Sequence, residues 1–190
     1  MKYVSIDIET TGIDPNKHQM IEFGAVIEDT ENMIDLDKLP TFRALIQHND
    51  YVVNPYCLTL HTELYKEICS HKENIYTKDF VVLKDGKLLG GAFANWLGLN
   101  GIDVDKKLNV AGKNFNGFDK LFLSKYMDGL VKFSHRALDP VALFVELNDV
   151  NPPNLAECAK RAGIEFTGKG YHTAVSDALM VVELLRKGWK

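Results

Sequence analysis

Asp7 and Glu9 stand two residues apart in a stretch, Lys2 to Glu9, whose apolar residues fall on alternate positions. Both carboxylates of such a strand leave the same face, about 6 to 7 Å apart along the chain. Left bare they repel; a divalent cation between them removes that penalty and supplies positive charge where phosphoryl chemistry needs it. Two solvated carboxylates on an exposed sheet face would look the same, and the pair alone does not separate the readings. Thr10-Thr11-Gly12 follows as a tight turn in which Gly12 permits close backbone approach, so a sugar could sit against it while its phosphate reaches the cations. A Thr-Gly pair is equally a common strand end.

Two more clusters carry chemistry-bearing side chains. In Asn114-Phe115-Asn116-Gly117-Phe118-Asp119 the last residue falls in the first turn of an amphipathic helix, a place acidic residues also take for dipole reasons alone. In His172-Thr173-Ala174-Val175-Ser176-Asp177, His172 precedes the final helix and Asp177 lies off its apolar stripe, so neither is needed in a core. A lone helical aspartate is otherwise a solvated charge.

The elements that must position these groups read as follows. Val4, Ile6 and Ile8 alternate with Tyr3, Ser5, Asp7 and Glu9, which predicts a first strand. Strands over about Met20 to Ile27 and Phe42 to His48 complete an antiparallel meander, with acidic residues between them. Leu60, Leu64 and Ile68 predict a helix from Pro55 to about Lys72, and Asp85-Gly86 between apolar runs predicts a hairpin over Phe80 to Leu89. A helix over Ala92 to Leu99, a strand over Leu108 to Ala111 and a helix from Gly117 to about Met127 come next. A short strand at Ala137-Leu138 and a helix from Val141 to Leu147 precede a helix capped by Asn154 and Glu157 that stops at Gly163. The last helix runs from about Thr173 to Lys187, with Gly188 ending it. No repeat or linker interrupts the pattern, so residues 1–190 are expected to form one α/β domain.

Composition narrows the classes. With 190 residues, 46% apolar and 25% charged, the chain can bury one substantial core. The N-terminus reaches Asp7 too soon for a signal peptide, and no apolar run approaches the roughly 20 residues of a membrane span. Cys57, Cys69 and Cys158 are odd in number and lack CxxC spacing, which favours reduced thiols and a cytoplasmic setting. A net charge of −4 argues against coating a duplex but not against gripping one strand end through a metal. A P-loop enzyme is excluded because no GxxxxGK[ST] occurs; Gly168-Lys169-Gly170 is only a glycine-rich loop.

In this order, Asp7-Ile8-Glu9-Thr10-Thr11-Gly12, Asn114 through Asp119, and His172 with Asp177 five residues later resemble the three motifs of the DnaQ-like, or DEDD, superfamily of 3′-to-5′ exonucleases. The resemblance runs from Tyr3 to about Leu185 and is to the histidine-containing branch (DEDDh), since the position where the other branch has tyrosine is Thr173 and Tyr171 is out of register. It implies an RNase H-like fold, a five-stranded mixed sheet flanked by helices, the first three strands antiparallel. Asp7 would bridge two Mg²⁺ or Mn²⁺ ions, Glu9 and Asp177 would complete the site of the ion holding the attacking water, and Asp119 would help hold the other. His172 would be the general base, its ordinary pKa near 6.5 suiting proton acceptance at physiological pH.

The same resemblance implies a strand-end seat built from Thr10, Thr11, Gly12, Asn114 and Phe118, although the spacing of Phe118 to Leu121 and Phe122 fits a core role as well. His61 matches a family position near the terminal nucleotide only loosely, because Leu58-Thr59-Leu60-His61 departs from the usual pattern. Lys113, Lys120, Lys125 and Lys169 lie near the motifs and could guide phosphates or only solvate the surface. The expected partner is the 3′ end of a single DNA or RNA strand, with a polymerase or replication protein as a further partner and no membrane. A proofreading or repair exonuclease on DNA is favoured slightly over an oligoribonuclease or RNA 3′-end trimmer. A catalytically silent binding module would have lost an acidic ligand, and all four are present.

Overall fold

The structure, a computed structural model, describes residues 1–165 and 173–189. The chain runs through β1 (Lys2–Thr10), β2 (Met20–Asp29), β3 (Thr41–Ile46), α1 (Pro55–Leu60), α2 (Thr62–Ser70), β4 (Ile75–Tyr76) and β5 (Phe80–Leu83). It continues through α3 (Leu89–Leu99), β6 (Leu108–Ala111), α4 (Asp119–Leu123), β7 (Phe133–Leu138), α5 (Val141–Phe144), α6 (Leu155–Arg161) and α7 (Ala174–Gly188). Among the described residues the strands form one sheet in the order β4-β5-β3-β2-β1-β6-β7. β1, β2 and β3 pair antiparallel, while β6 and β7 add parallel on the other side of β1. That mixed core with flanking helices is the RNase H-like arrangement.

The sheet has seven strands rather than the five expected, because β5 joins β3 in parallel and β4 joins β5 antiparallel. The hairpin expected at Asp85-Gly86 does not form. The Asp85 carboxylate instead accepts the Lys87 amide at 2.9 Å, which starts one 3-10 turn that runs into α3. Val81, Val82, Leu83 and Leu89 are all buried, so this segment belongs to the core and is not a solvated ornament. The helix expected over residues 55 to 72 breaks at His61, which caps α1 and opens α2; Leu64 and Ile68 are buried but Leu60 is exposed. The helix expected from Gly117 to Met127 contracts to α4. The chain beyond it turns back, and the Tyr126 hydroxyl accepts the Met20 amide at 3.1 Å.

The two faces of β1 serve different layers. Val4, Ile6 and Ile8 pack with Phe23, Phe42, Phe93 and Phe122 under α3 and α4. Tyr3 on the opposite face packs with Val26, Ala178, Val182 and Leu185 under α7. Because α7 covers that second face, its inner part is closed to solvent: Ser5 is fully buried and its hydroxyl donates to the Ala178 carbonyl at 2.8 Å. No helix among the described residues is long and apolar enough to cross a membrane.

Candidate active site

Asp7 and Glu9 follow Ser5 on the face of β1 that α7 covers, at the point where α7 begins. In the strand register Asp7 stands opposite Gly24 of β2, and Glu9 opposite Glu22. A Cβ on Gly24 would lie 2.2 Å from the Ala174 carbonyl carbon, so the missing side chain is what lets the first turn of α7 rest on β2 beside Asp7. Thr173 caps that turn in a box with Ser176, which fixes the start of the helix and brings Asp177 over β1. One ligand oxygen each of Asp7, Glu9 and Asp177 then lies within 4.8 Å of the others. Asp119, at the first position of α4 and only 3% exposed, enters the same cleft, whose volume is about 500 Å³. Lys113, Asn114, Phe118 and Asn154 are among the other residues that line it.

Crowding sets the electrostatics. Burial, followed by the charges of Asp119, Glu9 and Asp177, holds the Asp7 carboxyl well above its ordinary range. Burial and the neighbouring Glu22, Asp177 and Asp119 push Glu9 up to about 9. Burial pushes Asp119 up to about 7, opposed by backbone hydrogen bonds and by the Lys113 ammonium. Oxygen donors gathered so closely that Asp7, Glu9 and Asp119 all resist ionisation fit a hard divalent cation, whose charge would relieve the conflict.

The other residues singled out by sequence divide. His61 comes to the site from the α1–α2 junction, 5% exposed, with Nε2 3.4 Å from Glu9 Oε2. The Thr10 and Thr11 hydroxyls turn inward, donating to the Gly12 carbonyl at 2.8 Å and the Val52 carbonyl at 2.7 Å, so the turn presents backbone rather than hydroxyls. A Cβ on Gly12 would meet the His18 ring at 2.4 Å, which explains the glycine. Asn114 holds a positive φ of 54° while its amide donates to Asp139 Oδ2 at 2.9 Å, a sparsely populated conformation kept by that bond beside the cleft. Phe118 packs against the core, its ring centre 5.2 Å from that of Phe122 with the planes tilted by 50°, and it also lines the cleft. Lys113 lines the cleft, whereas the Lys125 ammonium donates to the Pro15 carbonyl. His172, Tyr171 and Lys169 lie outside the described residues.

Sequence reasoning missed Glu22, which is wholly buried in β2. The trace it left was a single glutamate inside the apolar run from Met20 to Ile27. Asp139 and Asn154 were also missed as supports of the cleft. Asp139 accepts the Asn114 amide, and Asn154 was seen only as a helix cap, which it also is, accepting the Glu157 amide at 2.8 Å.

An RNase H-like sheet that gathers four carboxylates from β1, α4 and α7 into one cleft defines a class of nucleic-acid-cleaving hydrolases. The chain belongs within that class to the RNase T exonuclease family, whose pattern matches residues 4–185. It is 30% identical over 144 residues to an oligoribonuclease of Buchnera aphidicola subsp. Baizongia pistaciae, covering 75% of this chain and 81% of that protein. It is 25% identical over 187 residues to the PolC-type DNA polymerase III of Ureaplasma parvum serovar 3, covering 97% of this chain but 11% of the polymerase. Its fold is similar to that of E. coli exonuclease I in complex with a dA16 oligonucleotide, with a TM-score of 0.63, 16% identity and coverage of 98% of this chain and 40% of that one. The chain thus spans only a small part of the polymerase and under half of exonuclease I.

Proposed function

We propose that this chain removes nucleotides from the 3′ end of a single strand, releasing 5′-mononucleotides, with DNA as its main substrate. The observation that carries the reading is the convergence of Asp7, Glu9 and Asp177 within 4.8 Å at a cleft that Asp119 also lines. These four acids would hold two divalent cations, Mg²⁺ or Mn²⁺. Bound there, the cations would polarise the attacking water and offset charge building on the phosphate. The chain's own groups do the rest. The backbone of Thr10-Thr11-Gly12 seats the terminal sugar, and His61 steadies Glu9. The Phe118 ring offers a stacking face to a base, worth about 1 to 3 kcal/mol in single-strand binders. Asn114 contributes its side-chain amide. His172, placed in sequence just before α7, takes the proton of the attacking water.

A second substrate reading, short RNA, is favoured by the oligoribonuclease relative, which this chain matches over most of that protein's length. Similarity to one segment of a PolC-type polymerase supports a replication protein as partner in a cytoplasmic setting. The test offers end-labelled DNA and RNA strands of several lengths, and circular DNA, to the purified chain with Mg²⁺ or Mn²⁺. Stepwise shortening from the 3′ end with intact circles is the expected result. Cleavage of circles as fast as linear strands overturns the exonucleolytic reading.

A further inference from the structure

Glu22 is a fully buried carboxylate with no place in the chemistry proposed above. Its two oxygens are spent on different elements. Oε1 accepts Arg43 Nε of β3 at 2.5 Å, and Oε2 accepts the Ala174 amide, the first of α7, at 2.9 Å. The two terminal nitrogens of Arg43 continue to Glu67 of α2, at 2.6 and 2.8 Å, and its guanidinium lies 5.8 Å from the Phe80 ring centre. A buried carboxylate is costly unless paired, and here one charge-assisted pair and one helix-terminal amide offset that cost. The amide is one that α7 cannot satisfy internally. Glu22 stands opposite Glu9, and two residues on is Gly24, the position that admits the α7 backbone. The same contact that satisfies Glu22 therefore fixes the height of α7 above β1, and Asp177 lies one turn into that helix.

We propose that Glu22 is a positioning residue that sets Asp177 against Asp7 and Glu9 by anchoring the Ala174 amide to β2, with Arg43 holding Glu22 in place. The inference rests on the reading of these acids as a cation site. Glu22→Met removes both acceptors at similar volume, and Glu22→Gln keeps one oxygen for two donors. Ala174→Pro deletes the donor and sets its ring against Glu22 Oε2, displacing the anchor point while leaving the Glu22 charge intact, at the first helical position, where proline is at home, and after Thr173, already extended at φ −114° and ψ 145°. Glu67→Gln breaks the outer ion pair alone.

Mn²⁺ binding is measured by calorimetry on each variant of the full chain, beside its thermal midpoint and its kcat and KM on a single-stranded oligonucleotide. Glu22→Met and Ala174→Pro should each weaken Mn²⁺ binding by about tenfold or more and lower kcat with little change in KM, with Glu22→Gln intermediate. Glu67→Gln should lower the thermal midpoint but change Mn²⁺ affinity by less than about threefold. A purely structural role would move the midpoint in all four and the affinity in none, and that result overturns the proposal. If Glu22→Met loses its cooperative transition, Ala174→Pro decides by the same threshold. Unaltered protein that binds Mn²⁺ but cuts no strand sinks the proposed activity while leaving this inference standing; unaltered protein that binds no Mn²⁺ sinks both.

Discussion

Asp7 sits where most of the site's charges meet, with Asp119, Glu9 and Asp177 all acting on it. Asp7→Asn should therefore abolish metal-dependent cleavage while raising the thermal midpoint of the metal-free chain at neutral pH, because the amide avoids the cost of holding a carboxyl protonated above its ordinary range. A folded Asp7→Asn protein with full activity would remove the acid cluster from the mechanism. His172 belongs to a different kind of test, since base and ligands are separate residues. His172→Ala should cut the single-turnover rate by about 10² to 10⁴-fold at saturating metal while leaving Mn²⁺ affinity within a factor of a few. The rise of rate with pH near 6 to 7, expected as a histidine base loses its proton, should flatten in that variant. An unchanged profile would assign the base to another group. The four acids were legible because three motifs taken in order resemble those of a known superfamily; the spacing of each motif alone left it open. Glu22 was not, because the register that sets it against Glu9 belongs to two strands ten residues apart and no local spacing encodes it.

α7 is fastened to β2 near both ends. Glu22 takes its first amide at 2.9 Å, and Glu28, buried at the far end of the strand, takes Arg186 Nε at 2.5 Å. Between them Gly24 and Val26 receive the helix on the pleat. Gly24→Ala would push a methyl to 2.2 Å from backbone that cannot swing aside as a side chain would, so the helix start must lift. Overpacking of this kind costs about 1 to 3 kcal/mol, and the lift should weaken Mn²⁺ binding as well. Urea denaturation and Mn²⁺ titration of the same variant check the two halves; stability lost with unchanged affinity would show that the β2–α7 seat and the acid cluster are independent. The strands around the site were readable because period-two alternation survives wherever one strand separates two layers, as in β1. Sequence failed where packing overrode pattern. Leu88 and Leu89 continue an apolar run that alternation cannot assign, and the Asp85 cap resolves it as helix. His61 interrupts a stripe that looks continuous from Leu60 to Ile68, because the break delivers its ring to Glu9.

At the scale of the whole molecule, the cluster makes stability depend on pH and metal together. Glu9 at about 9 and Asp119 at about 7 keep protons in the folded chain that an unfolded carboxylate, with a pKa near 4, has already lost. Between those values the folded state binds more protons than the unfolded state, so stability must fall as pH rises. This contribution is fully present near pH 4 and is lost progressively through about 7 and 9, opposite to a salt-bridged carboxylate. Asp149, which Arg161 holds down at about 2, has the ordinary sign but changes only in acid, outside that window. Metal-free protein should therefore show a thermal midpoint that declines from about pH 5 to about pH 9. Divalent cations compete with those protons and bind only the folded cluster, so saturating Mn²⁺ should raise the midpoint most at the alkaline end and flatten or reverse the slope. At a hundred times the dissociation constant the added stability is about 2.7 kcal/mol. Differential scanning calorimetry across that range, with chelator and with Mn²⁺, measures both curves on one preparation. A metal-free midpoint that climbs steadily with pH would mean that the carboxylates are ionised in the apo fold and that the cluster carries no proton reserve for cations to displace.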